Sequence, residues 1–126
     1  MELEKTQPEF RFFYFTNRYL ETVAFYKDVL KLEVIRSWNR GLYDKGTIFK
    51  SPNGTGWIEI EEGPEPAQLQ GGLYIEVEDV DFWYKTILAK KITIKKPLAN
   101  TEYGHRSFRF EDPNKLTIAL FRYLKP

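Results

Sequence analysis

The chain contains no cysteine, which excludes disulfide scaffolds, thiolate zinc sites and cysteine nucleophiles. It contains one histidine, His105. A Ser-His-Asp triad within the chain can therefore form only around that residue, and a multi-histidine metal site cannot form within one chain. No apolar run approaches the ~18–20 residues of a membrane span. Lys and Arg number 19 against 18 Asp and Glu, a net charge of +1. The basic excess that accompanies nucleic-acid binding is thus missing. The N-terminus, MELEKTQPEF, has no basic stretch followed by an apolar one, so it does not read as a secretory signal. A cytoplasmic location is expected.

What is present is a packable domain. The chain has 126 residues, 42% of them hydrophobic and 17% aromatic. That composition is far from the aromatic-poor, highly charged profile of a disordered chain. The length suits one domain, or two small halves sharing one core.

Residues 1–8 read as a flexible lead-in. The aromatic, β-prone run at 9–16 predicts a strand. Asn17 is a candidate N-cap for a helix reaching about residue 31, with Leu20, Val23, Ala24, Tyr26 and Leu30 in helical spacing. Strands are predicted at 32–38, at 45–50 before the turn SPNG, and at 56–61, where GWIEIE alternates with period 2. The Pro/Gly-rich GPEPAQLQGG is a connector. The order then repeats. A strand is predicted at 73–78, a helix capped by Asp79 or Asp81 reaching about residue 89, a short strand at 92–95, a strand at 106–111 ending in DPNK, and a last strand at 116–123.

Each half therefore reads β-α-β-β-β. Tyr26, Lys27, Val29 and Leu30 stand opposite Tyr84, Lys85, Ile87 and Leu88 at constant spacing, and Pro52-Asn53 stands opposite Pro113-Asn114. A repeat of roughly 60 residues is too short for comfortable independent stability, so the halves should form one pseudo-symmetric unit. We expect a single α+β domain over residues 9–126. Module one spans about 9–62, a linker 63–71, and module two about 72–124.

The motifs AFYKDVLKLEV and YGHRSFRFEDPNKLTIAL resemble the helix end and final hairpin of the vicinal oxygen chelate superfamily, which includes glyoxalase I, extradiol dioxygenases and bleomycin-resistance proteins. The resemblance spans residues 10–123. It implies two βαβββ modules whose strands roll into a cup around a ligand, and small proteins of this kind are dimeric by the same resemblance. Enzymes of the superfamily hold a divalent metal through one His or Glu near the start and end of each module. Those positions fall here on Arg11, Glu59, Gly72 and Ala119. One carboxylate in four does not hold a catalytic metal, and a guanidinium at the first position repels it. No metal and no other cofactor is therefore expected. A displaced site using Glu61, Glu76 or His105 is the alternative.

Strand alternation sorts the residues independently. Ile58, Ile60, Leu73, Ile75, Val77, Ile118 and Leu120 share one face, which should pack on the helices. Arg11, Phe13, Phe15, Trp57, Glu59, Glu61, Tyr74, Glu76, Thr117 and Phe121 share the other. Aromatic walls with a few placed charges are the composition of a ligand pocket, although the same aromatics could meet a second subunit. Arg11 and Glu59 are candidates for an ion pair standing in the metal's place. His105 is either a general base or a loop histidine. Trp38 and Tyr43 flank a hairpin that either lines the cup mouth or projects into solvent. Asp112 is expected to start a turn through its side chain, and Lys115, where the superfamily has glycine, is a candidate for backbone strain.

The leading expectation is a metal-free protein that sequesters a small aromatic or amphipathic molecule, with Arg11, Phe13, Trp57, Glu59, Tyr74 and Phe121 as ligand-binding residues. Trp57 is expected to be the main stacking surface. A homodimer is expected, with neither nucleic acid nor membrane as partner. The alternatives are a lyase, isomerase or dioxygenase-like enzyme, and a sensory or interaction module whose cup serves a partner.

Overall fold

Among the described residues, eight strands and two α-helices follow one another in the same order twice, with a π-helical turn extending the first helix. The computed structural model describes residues 8–52 and 56–125. The expected lead-in as far as residue 7, and residues 53 and 54 of the SPNG turn, lie outside them. Module one runs β1 (Arg11–Thr16), α1 (Tyr19–Ala24), β2 (Glu33–Asn39), β3 (Lys45–Lys50) and β4 (Trp57–Glu62). Module two runs β5 (Gly72–Glu76), α2 (Val80–Ala89), β6 (Ile94–Asn100), β7 (His105–Glu111) and β8 (Thr117–Tyr123).

Each module is a four-stranded sheet, ordered β1-β4-β3-β2 and β5-β8-β7-β6. In both, the first strand lies parallel to the last, with Arg11 paired to Trp57 and Gly72 to Thr117. The matching register is the structural form of the repeat seen in the sequence. It makes Arg11 equivalent to Gly72, and Glu59 equivalent to Ala119.

The aliphatic faces meet in one shared core. Ile58, Ile60 and Phe49 of the first sheet and Ile118, Leu120, Phe108 and Phe110 of the second join Tyr26, Val80 and Ile87 from the helical segments. Phe25 touches Phe110 across the modules, with ring centroids 6.2 Å apart. Burying this surface drives the two halves together.

A polar staple reinforces the join. Asp112, in the β7–β8 turn, accepts hydrogen bonds from the hydroxyls of Tyr14 (2.6 Å) and Tyr26 (2.7 Å), both from module one. Its other oxygen accepts from the backbone N–H of Asn114 and Leu116. The turn-starting role expected of Asp112 is thus present, joined to an inter-module role that the turn motif alone does not reveal. Burial and the neighbouring carboxylate hold both phenols above their ordinary range.

Several boundaries differ from expectation for identifiable reasons. Arg18, not Asn17, precedes α1 and supplies no side-chain cap. Thr16 instead accepts the Arg18 N–H through its hydroxyl, so the end of β1 does the capping. The α-helix stops at Ala24, and residues Phe25–Val29 continue as a π-helical turn. Asp79 is the cap of α2, accepting from the Phe82 N–H, while Asp81 pairs with Arg106. β6 continues to Asn100 rather than ending near residue 95. It is an edge strand with irregular pairing around Pro97, where a missing N–H is tolerated. β7 begins at His105 itself, because Thr101 and His105 exchange backbone and hydroxyl hydrogen bonds that extend the hairpin.

Candidate site on the two open sheet faces

Each sheet turns its second face away from the shared core. On module one, cross-strand pairing lines up Phe13, Glu59, Ile48 and Arg36, and beside them Phe15, Glu61, Gly46 and Trp38. Arg11 donates to Glu59 at 2.5 Å and to Glu9 at 2.6 Å. Glu59 is 8% exposed, so the pair is well sheltered on the carboxylate side. The ion pair expected from the sequence therefore forms. The Arg11 guanidinium also lies over the Trp57 ring, 5.5 Å from its centroid.

Glu61 points to the same face two residues along the strand. Burial, a hydrogen bond to Glu59, and the charges of Glu59 and Asp44 push its carboxyl up to about 7.

Arg11, Glu59, Ile48, Arg36, Trp38 and Arg40 line a shallow, open cavity of about 230 Å³. Trp38 lies flat because β3 carries Gly46 beneath it, and a Cβ there would overlap the indole. Trp38 therefore belongs to the sheet face itself, not to an outlying hairpin tip. Arg40 sits 6.0 Å over its ring and is held by Asp44 through two hydrogen bonds. The alternation RSWNR, which puts Arg36 and Trp38 on one face of β2 and Arg40 just past its end, was the sequence signal for this wall.

Module two presents a different surface. Arg109 donates to the Tyr74 hydroxyl and lies over its ring at 5.5 Å. With Gly72, Thr117 and Ala119 they line a cavity of about 200 Å³. His105 is packed among aromatic rings, with centroid distances of 4.7 Å to Tyr103, 4.9 Å to Phe121 and 5.8 Å to Tyr123. Its Nδ1 is buried without a hydrogen-bond partner among the described residues.

The six residues expected to bind ligand do not line a single cavity. Arg11 and Glu59 share the module-one cavity. Trp57 and Tyr74 face an apolar cavity of about 250 Å³ at the seam between the modules. Phe13 faces the Pro-rich connector, and Phe121 is nearly covered by Tyr74, His105 and Tyr123.

A divalent metal does not fit the four equivalent positions. Glu59 is engaged by a guanidinium, and Gly72 and Ala119 offer no donor atoms. A side chain at Gly72 would also collide with the backbone carbonyl of Thr117. Among the described residues, no group of three or more His, Asp or Glu is placed to hold a metal ion.

The paired modules and their register have a clear counterpart among known proteins. A family model, described as the Glyoxalase/Bleomycin resistance protein/Dioxygenase superfamily, matches residues 10–120. The chain belongs to this superfamily. Comparison with curated proteins gives no match. Among solved structures, the chain is similar to TnmS3, described as an antibiotic binding protein from a Streptomyces species, with 17% identity over 96% of this chain and 99% of that one and a TM-score of 0.77. A lactoylglutathione lyase from Agrobacterium tumefaciens is 18% identical over 94% of this chain and 96% of that one, at TM-score 0.72. FosX, a fosfomycin resistance protein from Listeria monocytogenes, is 19% identical over 95% of this chain and 94% of that one, also at 0.72. At these identities the likeness shows the superfamily fold, which is hosted by binding proteins and enzymes alike. No helix among the described residues is long and apolar enough to cross a membrane.

Proposed function

We propose that this superfamily member is a metal-free cytoplasmic protein that binds and sequesters a small aromatic or amphipathic molecule on its open sheet faces. The observation that carries this reading is the Arg11–Glu59 ion pair, which occupies two of the four metal positions while the other two are Gly72 and Ala119. Sequestration needs affinity alone, so losing the ligands of a catalytic metal does not oppose it. The likeness to TnmS3 supports the same reading, since that protein is described as binding an antibiotic. In this reading Arg11 and Glu59 are polar anchors of the module-one cavity, and Trp57 and Tyr74 offer apolar contact at the cavity between the modules.

The functional unit in this reading is a homodimer. Phe13, Phe15 and Tyr74 each remain more than half exposed on open sheet faces, and aromatic side chains of this kind are the usual anchors of interfaces. Light scattering at micromolar concentration should give twice the 15.0 kDa chain mass, and a clean monomer mass would remove this part of the reading.

A second reading is favoured by one feature. Glu61, with its carboxyl pushed up to about 7 and bonded to Glu59, is suited to metal-free proton transfer. Native mass spectrometry of protein taken directly from cells separates the two. A retained, chemically unaltered small molecule supports sequestration. Turnover of that molecule, abolished by Glu61→Gln, supports an isomerase or lyase instead.

A further inference from the structure

The module-one cavity has a chemical polarity that goes beyond an aromatic pocket. Glu59, Ile48 and Arg36 lie side by side on three adjacent strands. Strand spacing puts the first and last roughly 10 Å apart. The middle of the row is the aliphatic side chain of Ile48, 3% exposed. One end is the carboxylate already engaged by Arg11. The other end is a guanidinium flanked by the Trp38 indole and Arg40.

The three arginines of this cavity are not equivalent. Arg11 is engaged by Glu9 and Glu59, and Arg40 by both oxygens of Asp44. The Arg36 side chain has no hydrogen-bond or ion-pair partner among the described residues. Its five N–H donors are free, in a fork that matches a carboxylate or another flat oxyanion. The carboxylates that face the cavity or its edge, Glu59, Asp44 and Glu61, are committed to Arg11, to Arg40 and to each other.

We propose that this cavity takes a small planar organic anion, of which an aryl carboxylate is the simplest case. The ring lies over Ile48 and against Trp38, and the anionic group meets Arg36. The inference rests on the binding function proposed above and names the ligand class. A volume of about 230 Å³ is below the usual range for drug-sized ligands, so a one- or two-ring molecule is the appropriate size. Cations are disfavoured because the one guanidinium without a partner stands at the open end of the row.

Three probes on one ring test this on the full chain: 2-naphthoate, 2-naphthamide and 2-naphthylmethylammonium. The protein has three tryptophans, so the indole N–H signals of ¹⁵N-labelled protein report where each probe binds, with Trp38→Phe assigning one of them. The proposal expects naphthoate to shift the Trp38 signal and to bind at least about tenfold more tightly than the amide, the ordinary gain from a charge-assisted hydrogen bond. Arg36→Gln should erase that preference while melting like wild type, because Arg36 is exposed. If the amide or the ammonium probe perturbs Trp38 as strongly as naphthoate, the binding function stands and the anion assignment falls. The assignment also falls if naphthoate moves only Trp57 or Trp83, or if Arg36→Gln keeps the preference. If no probe moves any indole at about 1 mM, the anion assignment falls, and the binding function is decided by the native mass spectrometry described above. The probe series on the unmutated protein is decisive even if the variant folds poorly.

Discussion

Gly46 and Trp38 fit together as a gap and its filling. They are paired across β2 and β3, and the indole occupies the space that a Cβ on Gly46 would need. The glycine is thus required by close approach, not by backbone conformation. Gly46→Val should push the indole off the sheet and cost about 1–3 kcal/mol, the usual range for overpacking. Tryptophan emission and a denaturant titration check this together. A red-shifted spectrum with lower stability is expected, and unchanged emission would mean that Trp38 does not rest there.

Arg11 and Glu59 should behave as a unit. Arg11→Met leaves Glu59 sheltered without its counter-ion, at a cost of about 1–3 kcal/mol. The figure lies below that for a wholly buried pair because the Arg11 side chain is 31% exposed and water screens it. The double variant Arg11→Met with Glu59→Leu should return to within about 1 kcal/mol of wild type, because neither charge then needs desolvation. Equal losses in the single and double variants would show that the pair contributes little.

Stability should fall as pH rises from about 4.5 to about 7, and Glu61 is the cause. Its carboxyl is raised in the folded protein to about 7 from an ordinary value of 4.5. Over that interval the folded chain holds a proton that the unfolded chain has released. The stabilisation is therefore complete at pH 4 and lost by pH 8. Glu61→Gln should flatten this part of the profile and melt higher than wild type at pH 8, with little difference at pH 5. Thermal melts of both proteins from pH 4 to pH 9 provide the test.

Lys115 adopts φ 67°, in the left-handed region, at the end of the DPNK turn. A side chain there costs about 1–2 kcal/mol in local strain, partly offset because glycine loses more entropy on folding. Lys115→Gly should therefore gain a few tenths to about 1 kcal/mol in a denaturant titration. A loss would mean that the lysine side chain makes a compensating contact.

The fold was legible because its signals are redundant. Period-2 alternation in GWIEIE, the paired turns and the repeated helix motif each point to the same architecture, and Ile58, Ile60, Ile118 and Leu120 are indeed buried. The misjudged boundaries lie where tertiary context overrides local preference. Thr16 caps α1 from the end of a strand, and Pro97 is tolerated because β6 is an edge. The Arg11–Glu59 pair was legible because superfamily resemblance and alternation placed both residues on one face. What sequence could not supply is lateral register. Trp38 comes to lie over Gly46, and Arg36 comes into line with Ile48 and Glu59, only through pairings between strands that alternation within each strand does not fix.

The same lack of register hid the role of Asp112. Its motif predicts a turn, yet it also receives two tyrosine hydroxyls from the other module. Asp112→Ala would leave both phenols and the N–H groups of Asn114 and Leu116 without their acceptor in a region that water does not reach, since Asp112 is 4% exposed. Each such buried group costs about 1–3 kcal/mol. Relaxation recovers part of the sum, so a loss of about 3–5 kcal/mol is expected. Asp112→Asn keeps one acceptor but turns N–H donors toward hydroxyls or amides that also donate, so an intermediate loss should follow. Urea titrations of the three proteins measure both effects, and the m-value adds a separate reading. A lower m-value in Asp112→Ala would mean that the modules no longer unfold together, as expected if the staple couples them. Stability within about 1 kcal/mol of wild type would instead assign the join to the hydrophobic core alone, with Phe25 against Phe110 as its main contact.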